Sequence, residues 1–285
     1  MERFKETKKA GMLGIIGNIF LLLIKSIVGI ISHSQAMIAD AANSGGDIFA
    51  SLMTFIGNKI ASEPHDDTHN FGHGKAEYIF SLFISISMML VAFKFFYDSI
   101  SSLFHQQEVV FSWFLVLVCL ITIFVKFSLY LYTDRISKKY NNILLEANKK
   151  DHRNDCIVTI FTLISVLFSS KGIYWLDGIV GIGISLWICY TGFKIFMESY
   201  NVLMDISIDE STKKYIIDLS KAYDGIQKLD NISSTPVGYQ YVIVLTIYVD
   251  GNMSTFESHR IADGLENDIT KLENVYKTIV HVNPM

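Results

Sequence analysis

The chain has 285 residues, 51% of them apolar and 18% charged, with a mean hydropathy of +0.35, whereas an ordinary soluble domain carries about 25% charge. The formal net charge of -4 removes any case for a nucleic-acid partner built on overall basicity, and 3 prolines exclude long collagen-like or disordered stretches. Residues 1–205 hold 17 basic and 17 acidic residues, while 206–285 hold 7 and 11, which predicts a membrane domain over 1–205 and a small, mildly acidic cytoplasmic domain over 206–285.

In chain order, six segments are long enough to cross about 30 Å of hydrocarbon, which needs about 20 helical residues: 12–31, 35–60, 78–104, 111–132, 142–169 and 174–199. The first follows a basic start (Arg3, Lys5, Lys8, Lys9) and has no small-residue cleavage site, so it reads as a retained helix rather than a signal peptide. Basic residues set the orientation. They crowd the N-terminal tail, the second connection (Lys59, Lys75) and the fourth (Arg135, Lys138, Lys139, then Lys149, Lys150, Arg153). The connections near His33, Gln106 and Gly172 supply only Lys171. Both termini are therefore expected in the cytoplasm. Lys25, Lys94, Lys126 and Lys194 fall in or near spans, where snorkelling or pairing within the bundle accounts for them. Cys119, Cys156 and Cys189 are far apart in apolar runs, so neither a disulfide framework nor a cysteine-type zinc site is expected.

Beyond the spans the rhythm changes. A helix is expected over 211–223 with Ser211 as its N-cap, strands over 228–235 and 239–249 around Pro236 and Gly238, a helix over 255–272 and a strand over 276–282. The predicted fold is thus an α-helical membrane protein: six transmembrane helices followed by a cytoplasmic α+β domain of order αββαβ. Eighty residues hold one modest core, and pairing with a second copy would help it.

Ionisable groups inside a span are costly, so each is a functional candidate. The second span carries Asp40, Asn43 and Asp47 on one helical face, continued by Ser51 and Thr54; the fifth carries Asp151 and Asp155, continued by Thr159 and Thr162. Ala39-Asp40-x-x-Asn43-x-x-x-Asp47 echoes Ala147-Asn148-x-x-Asp151-x-x-x-Asp155. The two helices run in opposite directions, so the echo suggests an inverted pair facing one site. Three carboxylates and an amide from two helices can replace the water a divalent cation sheds. The second constellation is the loop His65-Asp66-Asp67-Thr68-His69-Asn70-Phe71-Gly72-His73, with three of the chain's 8 histidines in nine residues. Asp66, His69 and His73 there make a three-ligand N/O set for a second divalent metal.

On these residues, with His69-Asn70-Phe71-Gly72-His73-Gly74-Lys75-Ala76-Glu77 as the most specific run, the chain resembles the cation diffusion facilitator family over nearly its whole length. The resemblance implies a homodimer that exports divalent transition metals from the cytoplasm in exchange for protons. It maps the transport site to Asn43, Asp47, Asp151 and Asp155. Zinc-transporting members place a histidine in this set; here His152 lies about 100° around the helix from Asp151 and is left out. An all-oxygen set suits Mn2+ better than Zn2+, and the pattern resembles the family's manganese branch, with Fe2+, Co2+ and Zn2+ as alternatives. In the cytoplasmic domain only His259 and His281 remain of a histidine-rich metal site, as weak candidates, with Gln227, Leu245 and Asn283 at the other places. The resemblance also implies a charge contact between Lys75 and Asp205. A prokaryotic plasma membrane fits a short chain without a targeting segment. No organic cofactor is expected.

Two other classes compete. A zinc protease in the membrane would need HExxH, which the sequence lacks. An intramembrane aspartyl enzyme could pair Asp47 with Asp155 but leaves the loop histidines without a role. A metal sensor without transport leaves the inverted polar helices unexplained.

Overall fold

The structure is a computed structural model that describes residues 2–31, 35–104, 113–169 and 175–285, with side chains placed at all of these except 29, 35–40, 42, 43, 165–169 and 175–177. The expected outer connections near His33, Gln106 and Gly172 lie outside the described residues, as do the side chains of Asp40 and Asn43. Two compact units form: residues 1–62 with 76–199, and residues 63–75 with 200–285.

The first unit contains six long helices, α1 (Glu2–Ile31), α2 (Gln35–Ala61), α3 (Ala76–Phe104), α4 (Trp113–Tyr140), α5 (Ile143–Ser169) and α6 (Trp175–Leu203). At 1.5 Å per residue each is about 40 Å long, more than a bilayer core requires. Within them, Glu2–Val28, Ala76–Phe104, Trp113–Tyr140 and Gly178–Leu203 are apolar enough to cross a membrane by composition alone. Over their described residues α2 and α5 fall below that level, α2 with Asp47 and Lys59 and α5 with Lys149, Lys150 and Arg153 beside its aspartates. They pack inward instead. Ala50 of α2 and Leu144 and Ala147 of α5 share a buried cluster with Ile84, Met88, Ala92, Ile188 and Ile195 from α3 and α6. Large apolar side chains such as Phe93, Phe124, Leu186 and Tyr190 point outward, where lipid replaces water. α1 lies close against α2: a Cβ at Gly14 would come within 2.6 Å of the Ser51 hydroxyl, the kind of approach that small residues permit between membrane helices.

The first helix starts ten residues before the apolar stretch because its basic end is held. Arg3 donates to both carboxylate oxygens of the buried Glu77 at 2.6 Å. Asn142 donates to the same carboxylate at 3.1 Å, and its side-chain oxygen accepts from the Leu144 and Leu145 amides at the start of α5. α4 likewise runs on to Tyr140, two turns past the expected end.

The second unit carries α7 (Glu210–Lys221), β1 (Ile226–Val237), β2 (Gln240–Val249), α8 (Thr255–Thr270) and β3 (Val275–Pro284). This is the αββαβ order. β2 is central, antiparallel to β1 and parallel to β3. The parallel pair needs a crossover, and α8 supplies it. Ile243, Leu245, Ile247 and Val249 of β2 form the core with Ile216 of α7 and Leu265 and Ile269 of α8. The N-cap of α7 is Asp209 rather than the expected Ser211. A carboxylate accepts the Thr212 amide more strongly than a hydroxyl would, and Ser211 is left to donate to that carboxylate. α8 starts with a full capping box between Ser254 and Glu257.

Candidate metal centre

α2 places Asp47 and α5 places Asp151 and Asp155 around one cavity of about 100 Å³ inside the first unit. Asp151 and Asp155 are four residues apart, hence on one face. The two helices meet at an ammonium group: Lys126, from the apolar α4, donates to Asp47 Oδ2 at 2.7 Å and to Asp155 Oδ2 at 2.6 Å. Its side chain is 1% exposed, against 17% and 26% for the two carboxylates. Pairing, not snorkelling, is therefore the state of Lys126. Asn18 of α1 fixes the approach of α2 by donating to the Asp47 carbonyl oxygen at 3.0 Å and to the Ser51 hydroxyl at 3.1 Å.

The Asp151 carboxylate keeps one buried oxygen without a hydrogen-bond partner, and so do both ring nitrogens of the fully buried His152. Buried polar atoms ordinarily find partners, and these orphans lie beside the carboxylate cluster. One donor atom each from Asp151, His152 and Asp155 lie within 4.8 Å of one another. The sequence reading leaves His152 out of the ligand set. Measured from Asp151 it is 100° away, but Asp155 is three residues on, and such residues are neighbours on a helix. A nitrogen donor thus lies near the carboxylates, although His152 is not among the residues that line the cavity and its Nε2 faces Gly14 of α1. Of the four expected ligands the structure brings Asp47, Asp151 and Asp155 to one cavity, while the side chain of Asn43 lies outside the described residues.

In the second unit, Asp66, His69 and His73 also form a group whose donor atoms lie within 4.8 Å of one another. Asp66 Oδ1 accepts from the Thr68 hydroxyl at 2.8 Å and from the Thr68 and His69 amides at 2.9 and 2.6 Å. These bonds hold the Asp66 carboxyl well below the usual carboxylate range, the Thr68 hydroxyl first and the His69 amide next, so it is an anion ready to ligate. The His69 and His73 rings are 4.3 Å apart. The chemistry of this N/O donor set fits a divalent metal.

The loop is seated on its own unit. Phe71 meets the Tyr276 ring edge-on at 6.2 Å, Gly74 lies against the Gly238 backbone, and Lys75 pairs with Asp205 at 2.8 Å. The last is the charge contact expected from sequence; as a partly exposed pair it contributes about 0–1 kcal/mol. His259 is exposed and 3.5 Å from Asp263, one turn on in α8. His281 is exposed on β3. Among the described residues neither belongs to a cluster of three metal donors, and Leu245 is in the core.

Residues 12–204 match the cation efflux transmembrane domain, and residues 208–285 match the cytoplasmic domain of cation efflux proteins. The chain belongs to the cation efflux family. It is a membrane transporter of metal cations, not an enzyme. Its relatives include the transporter MJ0449 of Methanocaldococcus jannaschii, 30% identical over 98% of this chain and 99% of that protein. The manganese efflux system protein MneS of Bacillus subtilis is 29% identical over 100% and 99%. The cation-efflux pump FieF of Shewanella oneidensis is 27% identical over 93% and 90%. These matches run nearly the full length of the proteins compared, so the whole architecture is shared.

Proposed function

We propose that this cation efflux protein exports Mn2+ from the cytoplasm in exchange for protons, working as a homodimer in the plasma membrane with both termini cytoplasmic. The observation that carries this reading is the convergence of Asp47 from α2 and Asp155 from α5 on one point inside the helix bundle, the Lys126 ammonium. Carboxylates held that close in a membrane domain require positive charge; Lys126 supplies one charge there, and a dehydrated divalent ion, the cargo of an efflux protein, supplies two in the same place. Asp47, Asp151 and Asp155 are the proposed transport ligands, with Asn43 as the fourth. A carboxylate-dominated set suits Mn2+, and the likeness to MneS supports the same ion. Carboxylates also supply the proton sites, since each group that releases metal can take a proton in its place. A second divalent metal is assigned to Asp66, His69 and His73. Dimerisation is assigned to the cytoplasmic domain, whose paired Val244 and Ile279 are exposed on adjacent strands.

The nitrogen of His152 favours Zn2+ as the alternative cargo. Reconstituted vesicles supplied with Mn2+, Zn2+, Co2+ and Fe2+ side by side decide between them. Mn2+ is expected to move fastest, to accelerate with an opposing proton gradient, and to stop in Asp47→Ala. A parent that prefers Zn2+ in competition overturns the manganese assignment, and flux indifferent to pH on both faces overturns proton exchange.

A further inference from the structure

Lys126 reaches the site from α4, a helix that contributes none of the proposed ligands, and its ammonium sits between Asp47 and Asp155, where a metal bridging them would have to sit. We propose that Lys126 is the resident counter-cation of the transport site: it occupies the metal's place between loads, and the divalent ion enters by displacing it. This rests on the reading of Asp47 and Asp155 as transport ligands.

Three observations support the assignment. The first is position. An ammonium holds these oxygens at 2.6 and 2.7 Å, and a divalent transition metal would hold them at about 2.0–2.2 Å, so the two cations compete for one volume. The second is burial. The Lys126 side chain is 1% exposed, so its charge is balanced by neighbouring carboxylates rather than by surface water. The third is the orphaned Asp151 oxygen. The Asp151 carboxylate lines the same cavity as Lys126 and keeps that oxygen unused, as a spare ligand is when a smaller charge with fewer bonds stands in for the full ion.

The consequences are selectivity and release. A monovalent ion brings no more charge than the ammonium and must still displace it, while a divalent ion brings twice as much and also engages the unused oxygen. The lysine therefore sets a threshold that sodium and potassium do not pass. As metal leaves, the tethered ammonium returns to the carboxylates at an effective concentration no free ion matches, which blocks recapture. Lys25 and Lys94 line the same cavity with Asp98 and Asp151, so beyond the first contacts the lining carries both signs in balance.

The test compares Lys126→Met, which keeps the length and loses the charge, with Lys126→Arg, which keeps the charge. Both are made in the full-length protein in lipid nanodiscs and vesicles. Removal of a tethered competitor is expected to tighten Mn2+ binding by about tenfold or more, while the maximal efflux rate falls and excess Na+ begins to compete. Lys126→Arg is expected to weaken Mn2+ binding back toward the parent value. If Lys126→Met elutes and melts like the parent but binds Mn2+ no more tightly, the inference is overturned. Should that variant fail to fold, the parent loaded with Mn2+ decides by structure determination: Lys126 is expected to have left both carboxylates, and an ammonium still bridging them overturns the proposal. Asp47→Ala separates the two levels. Unchanged Mn2+ binding in Asp47→Ala sinks the transport-site reading and this inference with it, whereas abolished binding there with no tightening in Lys126→Met sinks this inference alone.

Discussion

Residue by residue, the proposed transport centre brings together three kinds of group: carboxylates from α2 and α5, an ammonium from α4 and an imidazole that stands beside them. The imidazole gives a selectivity prediction. Nitrogen is a better ligand for Zn2+ than for Mn2+, so His152→Ala should weaken Zn2+ binding by roughly tenfold, about 1.4 kcal/mol, and leave Mn2+ less affected. Asp151→His should move the preference toward Zn2+. Competition calorimetry with both ions checks each variant, and equal weakening for the two metals in His152→Ala would remove the imidazole from the ligand set. The carboxylates themselves are legible in the sequence, because an aspartate inside an apolar helix has few explanations and spacing of four puts a pair on one face. Lys126 and His152 are not read so directly. Lysine near a span usually snorkels, and only the surroundings of the side chain reveal that this one does not. The angle from Asp151 to His152 argues for leaving the histidine out, although its spacing of three to Asp155 is equally a feature of the sequence and argues for keeping it.

The elements of the cytoplasmic unit depend on small chemical signals at their ends. Asp209 caps α7, and the Ser211 and Thr212 hydroxyls, with the Thr212 amide, hold its carboxyl well below the usual carboxylate range. A value lowered on folding stabilises above the unfolded pKa of about 3.9, and that stabilisation fades as pH falls below it toward the folded value. Hydrogen exchange on the full chain should show α7 amide protection constant at neutral pH and falling in acid. Asp209→Ala should cost about 1 kcal/mol at neutral pH and flatten that acid dependence. A variant whose protection still falls at low pH by the same amount would place the acid sensitivity elsewhere. Gly238 gives the second prediction at this scale. Its φ of +77° closes the β1–β2 turn, and a Cβ there would come within 3.1 Å of the Gly74 backbone. Gly238→Ala should cost about 1–2 kcal/mol from conformation alone, read as a lower melting temperature, and the added methyl should also push the loop at Gly74 away from the turn. Sequence punctuation locates this turn through Gly238, whereas Pro236, expected to end the first strand at 235, lies inside β1 opposite Tyr241. The sequence misplaces the α7 cap by two residues because Ser211 and Asp209 are both good caps, and only the amide each can reach distinguishes them.

At the scale of the whole molecule, the loop 63–75 belongs by its packing to the unit of residues 200–285, although in sequence it joins α2 to α3. No periodicity announces such a long-range grouping; it comes from Phe71 on Tyr276, Gly74 on Gly238 and Lys75 on Asp205, pairs of residues more than a hundred positions apart. The metal set Asp66, His69 and His73 is therefore built into the cytoplasmic unit, whereas Asp47 and Asp155 belong to the helical one. On the proposed assignment, the transport ligands must exchange hydration water for protein oxygen in every cycle, whereas the loop ligands need only hold an ion that steadies the loop. Removing one of the former should stop flux; removing the latter should lower apparent affinity or dimer stability more than maximal rate. His69→Ala combined with His73→Ala is thus expected to keep most of its efflux at saturating Mn2+, and Asp47→Ala to be inactive at every concentration. Rate against metal concentration for both variants in vesicles is the measurement. A loop variant dead at saturation beside an Asp47→Ala that still transports would mean that translocation runs through the loop and that the two sites have been assigned in reverse.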